Sequence, residues 1–104
     1  LRIRLLPRQV YCLLHVLLQL NGAINGIRVN AIAPGPIERT GGAEKLWESS
    51  EAARRTLNSV PLGRLGTPEE VASLALFLCS KDAAYINGEC ITIDGGQWLN
   101  RFPF

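Results

Sequence analysis

The chain has 104 residues and a formal net charge of +2, which limits it to one small domain. Arg2, Arg4 and Arg8 outweigh that surplus and precede the first acidic residue, Glu38. No basic face interleaved with aromatic residues is left, which excludes a nucleic-acid partner.

Residues 1–25 form a regime of their own. Three arginines lead into the apolar run Val10-Tyr11-Cys12-Leu13-Leu14-His15-Val16-Leu17-Leu18, followed by Gln-Leu-Asn-Gly-Ala. A basic start, an apolar run and a small-residue exit outline a signal peptide, and the run is too short to span a membrane. A leader abutting an internal strand is out of place. The sequence contains no methionine, so Leu1 is not expected to be a natural start.

From Gly26 the local signals agree with one another. Ile27-Arg28-Val29-Asn30-Ala31-Ile32 reads as an apolar strand, ended by the turn Pro34-Gly35-Pro36-Ile37. Glu38 to Gly42 is a polar loop, and Ala43 to Ser59 carries apolar Ala43, Leu46, Trp47, Ala53 and Leu57 among charges, a helix with a break. Pro61 to Gly66 is a turn. Thr67-Pro68-Glu69-Glu70 is a helix start, with Thr67 as N-cap, Pro68 at the first position and Glu70 completing a capping box. Val71, Leu74, Ala75 and Leu78 then recur on one face, and Ser80-Lys81-Asp82 ends the helix. Asn87-Gly88 turns into the strand Glu89 to Ile93, closed by Asp94-Gly95-Gly96.

Strand, helices and strand in this order give an α/β fold: the C-terminal part of a doubly wound parallel, Rossmann-like sheet, incomplete because such a sheet needs several βα units of about 30 residues each. Ligands of open parallel sheets bind at the carboxyl ends of the strands, so Pro34, Gly35, Pro36 and Ile37 are the first site candidates. The prolines fix φ and remove donors, and Gly35 lets the backbone approach a ring. Asn30 and Asp94 are expected to bond to turns beside the strands. Trp47 and Trp98 read as apolar anchors. Cys12, Cys79 and Cys90 form no C-x-x-C pair. They are expected to be buried, reduced thiols in a cytoplasmic compartment. His15 has no ligand partners at useful spacing, and no metal is expected.

Gly-Ile-Arg-Val-Asn-Ala-Ile-Ala-Pro-Gly, then Pro-Leu-Gly-Arg-Leu-Gly-Thr-Pro-Glu-Glu, then Ile-Asn-Gly-Glu-Cys-Ile-Thr-Ile-Asp-Gly-Gly resembles the short-chain dehydrogenase/reductase family over roughly residues 26–98. Pro-Gly-Pro-Ile followed by Glu-Arg-Thr-Gly-Gly-Ala-Glu-Lys-Leu-Trp looks most like its bacterial 2,4-dienoyl-CoA reductases. 3-Oxoacyl reductases share most of the framework. The resemblance implies NADP-dependent reduction of a dienoyl-CoA, with NAD as the alternative cofactor. It also implies a homo-oligomer and no membrane partner. Pro34, Gly35, Pro36, Ile37 and Thr40 would meet the cofactor. Arg39 and Lys45, on the segment that closes over substrate in the family, would meet the phosphates of an acyl-CoA.

The family's Gly-rich phosphate loop and its catalytic Asn, Ser, Tyr and Lys are not legible here. Tyr11 is followed at i+4 by His15. No catalytic residue is assigned, and the chain alone is expected to be inactive. Residues 1–25 offer one explanation. Read one nucleotide earlier, their codons permit a sequence like the family's active-site helix, His-Ser-Ala-Ala-Ala-Lys-Ala-Gly-Val-Leu, with Arg8 where that lysine would fall. The expectation is therefore a frame-shifted helix over 1–25 and the reductase segment over 26–104. Its alternatives are an unrelated apolar leader and a non-catalytic interaction module.

Overall fold

The computed structural model describes residue 20, residues 22–41 and residues 50–101. Lys45, Trp47, Cys12, His15, the first part of the expected 43–59 helix and nearly all of the 1–25 segment lie outside the described residues. Two strands, β1 (Ala31–Pro34) and β2 (Cys90–Ile93), pair in parallel, with Ala31 opposite Cys90 and Pro34 opposite Ile93. Between them run α1 (Ser50–Ser59) and α2 (Pro68–Cys79). A parallel pair needs such a crossover, because a tight hairpin cannot bring the second strand back in the same direction. The architecture is the expected α/β one.

The helix α2 begins as its sequence dictates. The Thr67 side chain accepts from the Glu70 amide at 3.2 Å, while the Glu70 carboxylate accepts from the Thr67 amide at 2.8 Å. Pro68 occupies the first turn, where a missing N–H costs nothing. Val71, Leu74 and Ala75 are half-buried and Leu78 is buried, so the periodic stripe is the face turned inward. Among the described residues, Leu78, Ala53, Val60 and Ala83 form the buried apolar set. In α1 the Ser59 carbonyl and hydroxyl are taken by Asn100 and Gln97 at 2.9 and 2.8 Å, which ties the tail turn Gln97–Arg101 to the end of that helix.

Two expectations need correction. The first strand runs Ala31–Pro34, not Ile27 to Ile32, because residues 28–30 are engaged elsewhere. The Arg28 guanidinium donates to Leu78 O at 2.7 Å and to Ile86 O at 3.0 Å. It thus satisfies a carbonyl at the end of α2, where a cation is also favoured by the helix dipole. Asn30 donates to Ile86 O at 2.9 Å and accepts from the Glu89 amide at 3.1 Å. The ladder starts only beyond these ties. The second correction concerns the thiols: Cys79 is exposed and Cys90 half-buried. Cys79 follows Leu78 by one residue, about 100° around the helix from the inward stripe.

Candidate functional site

Both strands end at the same edge of the sheet, and the turns that leave them are pressed together. The Gly35 amide donates to Ile93 O at 2.9 Å, extending the ladder by one residue. A β-carbon on Gly35 would lie 2.6 Å from Asp94 Cβ and 2.8 Å from Asp94 Cα. Glycine at 35 is therefore required by the neighbouring strand end, a reason distinct from close approach to a ligand. Asp94 is held in turn: its Oδ1 accepts from the Gly96 amide at 2.9 Å and its Oδ2 from the Trp98 amide at 2.8 Å. Asn30 and Asp94 thus make the turn contacts that their residue types suggest.

The other side of the turn is fastened to the start of α2. Ile37 and Gly66 form a parallel bridge, with Glu38 N–H to Gly66 O at 2.9 Å and Gly66 N–H to Pro36 O at 3.0 Å. Beyond the bridge, Arg39 takes a left-handed backbone conformation (φ 56°), uncommon for a residue other than glycine. Its guanidinium pairs with Glu38 and Glu69. The Thr40 hydroxyl donates to Ile37 O at 2.8 Å.

These constraints leave an open cleft of about 600 Å³ lined by Pro34, Gly35, Pro36, Ile37, Thr40, Pro68 and Val71. All five residues expected at the cofactor meet there. Pro68 and Val71 were not anticipated as lining; the signal for them was their place on the first turn of the capped helix, facing the bridge. The walls are apolar and short of donors, since three are prolines. Such a lining suits a flat, weakly polar ring, with backbone carbonyls offering the polar contacts. Arg39 is not free for a phosphate in this arrangement, being shared between two carboxylates.

Beside the Ile37–Gly66 bridge, the electrostatics centre on Glu70. Arg64 grips it with two nitrogens, at 2.6 and 3.1 Å. That hydrogen bonding, followed by the Thr67 amide, holds the Glu70 carboxyl at about 2 and raises Arg64 above its ordinary value. Glu69 is also lowered, first by its own backbone N–H and then by Arg39.

A family profile described as enoyl-(acyl carrier protein) reductase matches residues 19–97. The probable 2,4-dienoyl-CoA reductase [(2E)-enoyl-CoA-producing] of Bacillus subtilis is 75% identical over 83 residues, covering 80% of this chain and 33% of that protein. Among solved structures, a short chain dehydrogenase from Bacillus anthracis aligns with a TM-score of 0.76 at 57% identity, over 92% of this chain and 36% of its own. A putative 2-deoxy-d-gluconate 3-dehydrogenase from Agrobacterium tumefaciens with bound NADP aligns with a TM-score of 0.80 at 39% identity, over 88% of this chain and 37% of its own. The chain spans about a third of the length of these relatives.

Proposed function

The chain belongs to the short-chain dehydrogenase/reductase family, and on that footing we propose that it forms the nicotinamide side of the cofactor site in an NADP-dependent 2,4-dienoyl-CoA reductase. The observation that carries the reading is the convergence of Pro34, Gly35, Pro36, Ile37 and Thr40 on one apolar cleft at the carboxyl edge of the sheet. The 75% identity to the Bacillus subtilis relative supports the substrate class, and the NADP held by the Agrobacterium protein supports the cofactor.

In this reading Pro34, Pro36, Ile37, Pro68 and Val71 exclude water from one face of the ring, and Thr40 fixes the rim. When bound, NADPH would supply hydride for the far end of the conjugated diene, and a proton added to the carbon chain of the resulting enolate would complete the reduction. Lys45 is the basic residue assigned to the phosphates of the acyl-CoA. Arg39 can join it only by exchanging its carboxylate partners, Glu38 and Glu69. The subunits of the parent enzyme associate as a homo-oligomer.

The test is a chimera in which residues 22–101 replace the matching segment of the Bacillus subtilis relative. NADPH oxidation is followed with 2,4-dienoyl-CoA and with a 3-oxoacyl thioester. Turnover of the dienoyl-CoA is expected. A folded chimera that reduces only the 3-oxoacyl thioester would overturn the substrate assignment. Protonation next to the thioester leaves a 3-enoyl product, whereas a (2E)-enoyl product requires the proton one double bond further out. The position of the remaining double bond therefore also tests where the proton is added.

A further inference from the structure

We propose that Arg64 and Glu70 are positioning residues that set the Pro36–Glu38 turn, acting through the Ile37–Gly66 bridge. The proposal rests on the cofactor reading only for its consequence at the cleft; the clamp itself is a matter of this chain's own geometry. Glu70 holds two partners at once. One carboxylate oxygen accepts from Thr67 N at 2.8 Å and from an Arg64 nitrogen at 3.1 Å, and the other accepts from Arg64 at 2.6 Å. Arg64 also donates to Leu65 O at 3.1 Å. The short segment from 64 to 67 is thereby fixed at both ends to one side chain on the first turn of α2. In the middle of that segment sits Gly66, whose N–H and C=O are the two atoms bonded to Pro36 and Glu38. A displacement of the 64–67 segment must move the bridge, and the bridge carries Pro36 and Ile37 into the cleft wall.

The side chains of Arg64 and Glu70 are 54% and 41% exposed. A single-contact pair at that exposure contributes little. This pair differs in being forked and in sharing its carboxylate with a helix cap, the geometry in which arginine outperforms lysine. Glu38 lies close enough to Arg64 to add a further attraction, so the charges at the three fastened segments form a small network.

Amide hydrogen exchange on the full 104-residue chain tests the clamp. The probes are the Glu38 and Gly66 amides, compared with the ladder amides of Ala31 and Gly35. Arg64→Ala is expected to speed exchange at Glu38 and Gly66 by about fivefold, as for a well-formed ion pair, with the ladder amides unchanged. Arg64→Lys is expected to restore part of the protection. Thr67→Ala, which removes the cap hydroxyl but leaves the Arg64 pair, is expected to loosen the first turn of α2 and spare the bridge. Equal loosening of the bridge by Thr67→Ala and Arg64→Ala would overturn the proposal, since a cap alone would then explain it. So would unchanged exchange in Arg64→Ala, or absence of protection at both bridge amides in the unaltered chain. If Arg64→Ala also exposes the ladder, Arg64→Lys decides: protection between the unaltered chain and Arg64→Ala at the bridge supports the clamp, and unaltered protection refutes it. NADPH-induced shifts at Ile37 are read in parallel. Their absence in the chimera of the Bacillus subtilis relative, with NADPH demonstrably bound there, would count against the cofactor reading while leaving the clamp result standing.

Discussion

Replacing Gly35 by alanine puts a methyl carbon where the second strand already stands. The new atom would meet Asp94 Cβ at 2.6 Å, Asp94 Cα at 2.8 Å and Asp94 O at 3.4 Å. Carbon atoms rest at roughly 3.5–4.0 Å, so the two strand ends must part by about 1 Å. Two of the three atoms are not free to swing away, and Asp94 is fastened by its bonds to Gly96 and Trp98. Overpacking of this kind costs about 1–3 kcal/mol. With a urea slope of about 1 kcal/mol per molar for a domain of this size, the unfolding midpoint followed by circular dichroism should fall by about 1 M or more. Gly41 is the control: a β-carbon there meets nothing within 4 Å among the described residues, and Gly41→Ala should stay within about 0.5 kcal/mol. Gly66→Ala falls between, because its contact is the movable Ile37 Cδ1 at 2.7 Å. An unshifted midpoint for Gly35→Ala, or equal shifts for positions 35 and 41, would refute the close-packed account of the strand ends.

Arg28→Ala removes bonds to three carbonyls, at 2.7, 3.0 and 3.5 Å, and should cost about 1.5–3 kcal/mol as charge-assisted bonds do; the same urea titration measures it. Asp94→Ala strips the acceptors from the Gly96 and Trp98 amides and should cost about 1 kcal/mol, as a lost cap does, with altered Trp98 fluorescence as a second sign. Acid should weaken the fold through Glu70: its carboxyl sits at about 2 in the folded chain against 4.5 ordinarily, so the unfolded state binds the proton first. Its contribution is complete above the ordinary value and is lost as the pH falls from about 4.5 toward 2. Glu70→Gln should therefore flatten that part of the stability profile, and an unchanged acid slope in this variant would contradict the assignment.

The features that local chemistry decides were legible in the sequence. Thr67, Pro68 and Glu70 specify a helix start by their types and spacing, and the structure builds that capping box. The turn at residues 34–37 follows from its prolines and glycine, and the cleft forms around it. What depends on partners far along the chain was not legible. The first strand shifts toward Pro34 because Arg28 and Asn30 are held by residues 50 or more positions away, and no local pattern announces them. An arginine inside an apolar strand was the available hint. The clamp had a clearer one, in an arginine six residues before the capping-box glutamate. Cys79 was misjudged because an apolar helix run was taken as buried throughout, whereas only the face that carries Leu78 turns inward. Gly35 was read for ligand approach, and its neighbour Asp94 supplies a requirement of its own.

The most direct test of the central claim is an NMR measurement on the chimera, with isoleucine and valine methyls labelled and NADPH added. Magnetisation transfer between the Ile37 and Val71 methyls and the nicotinamide protons is expected, and it should vanish in Ile37→Asp. Transfer from these methyls to the adenine protons alone, or none with NADPH demonstrably bound, would contradict the assignment of this cleft to the nicotinamide.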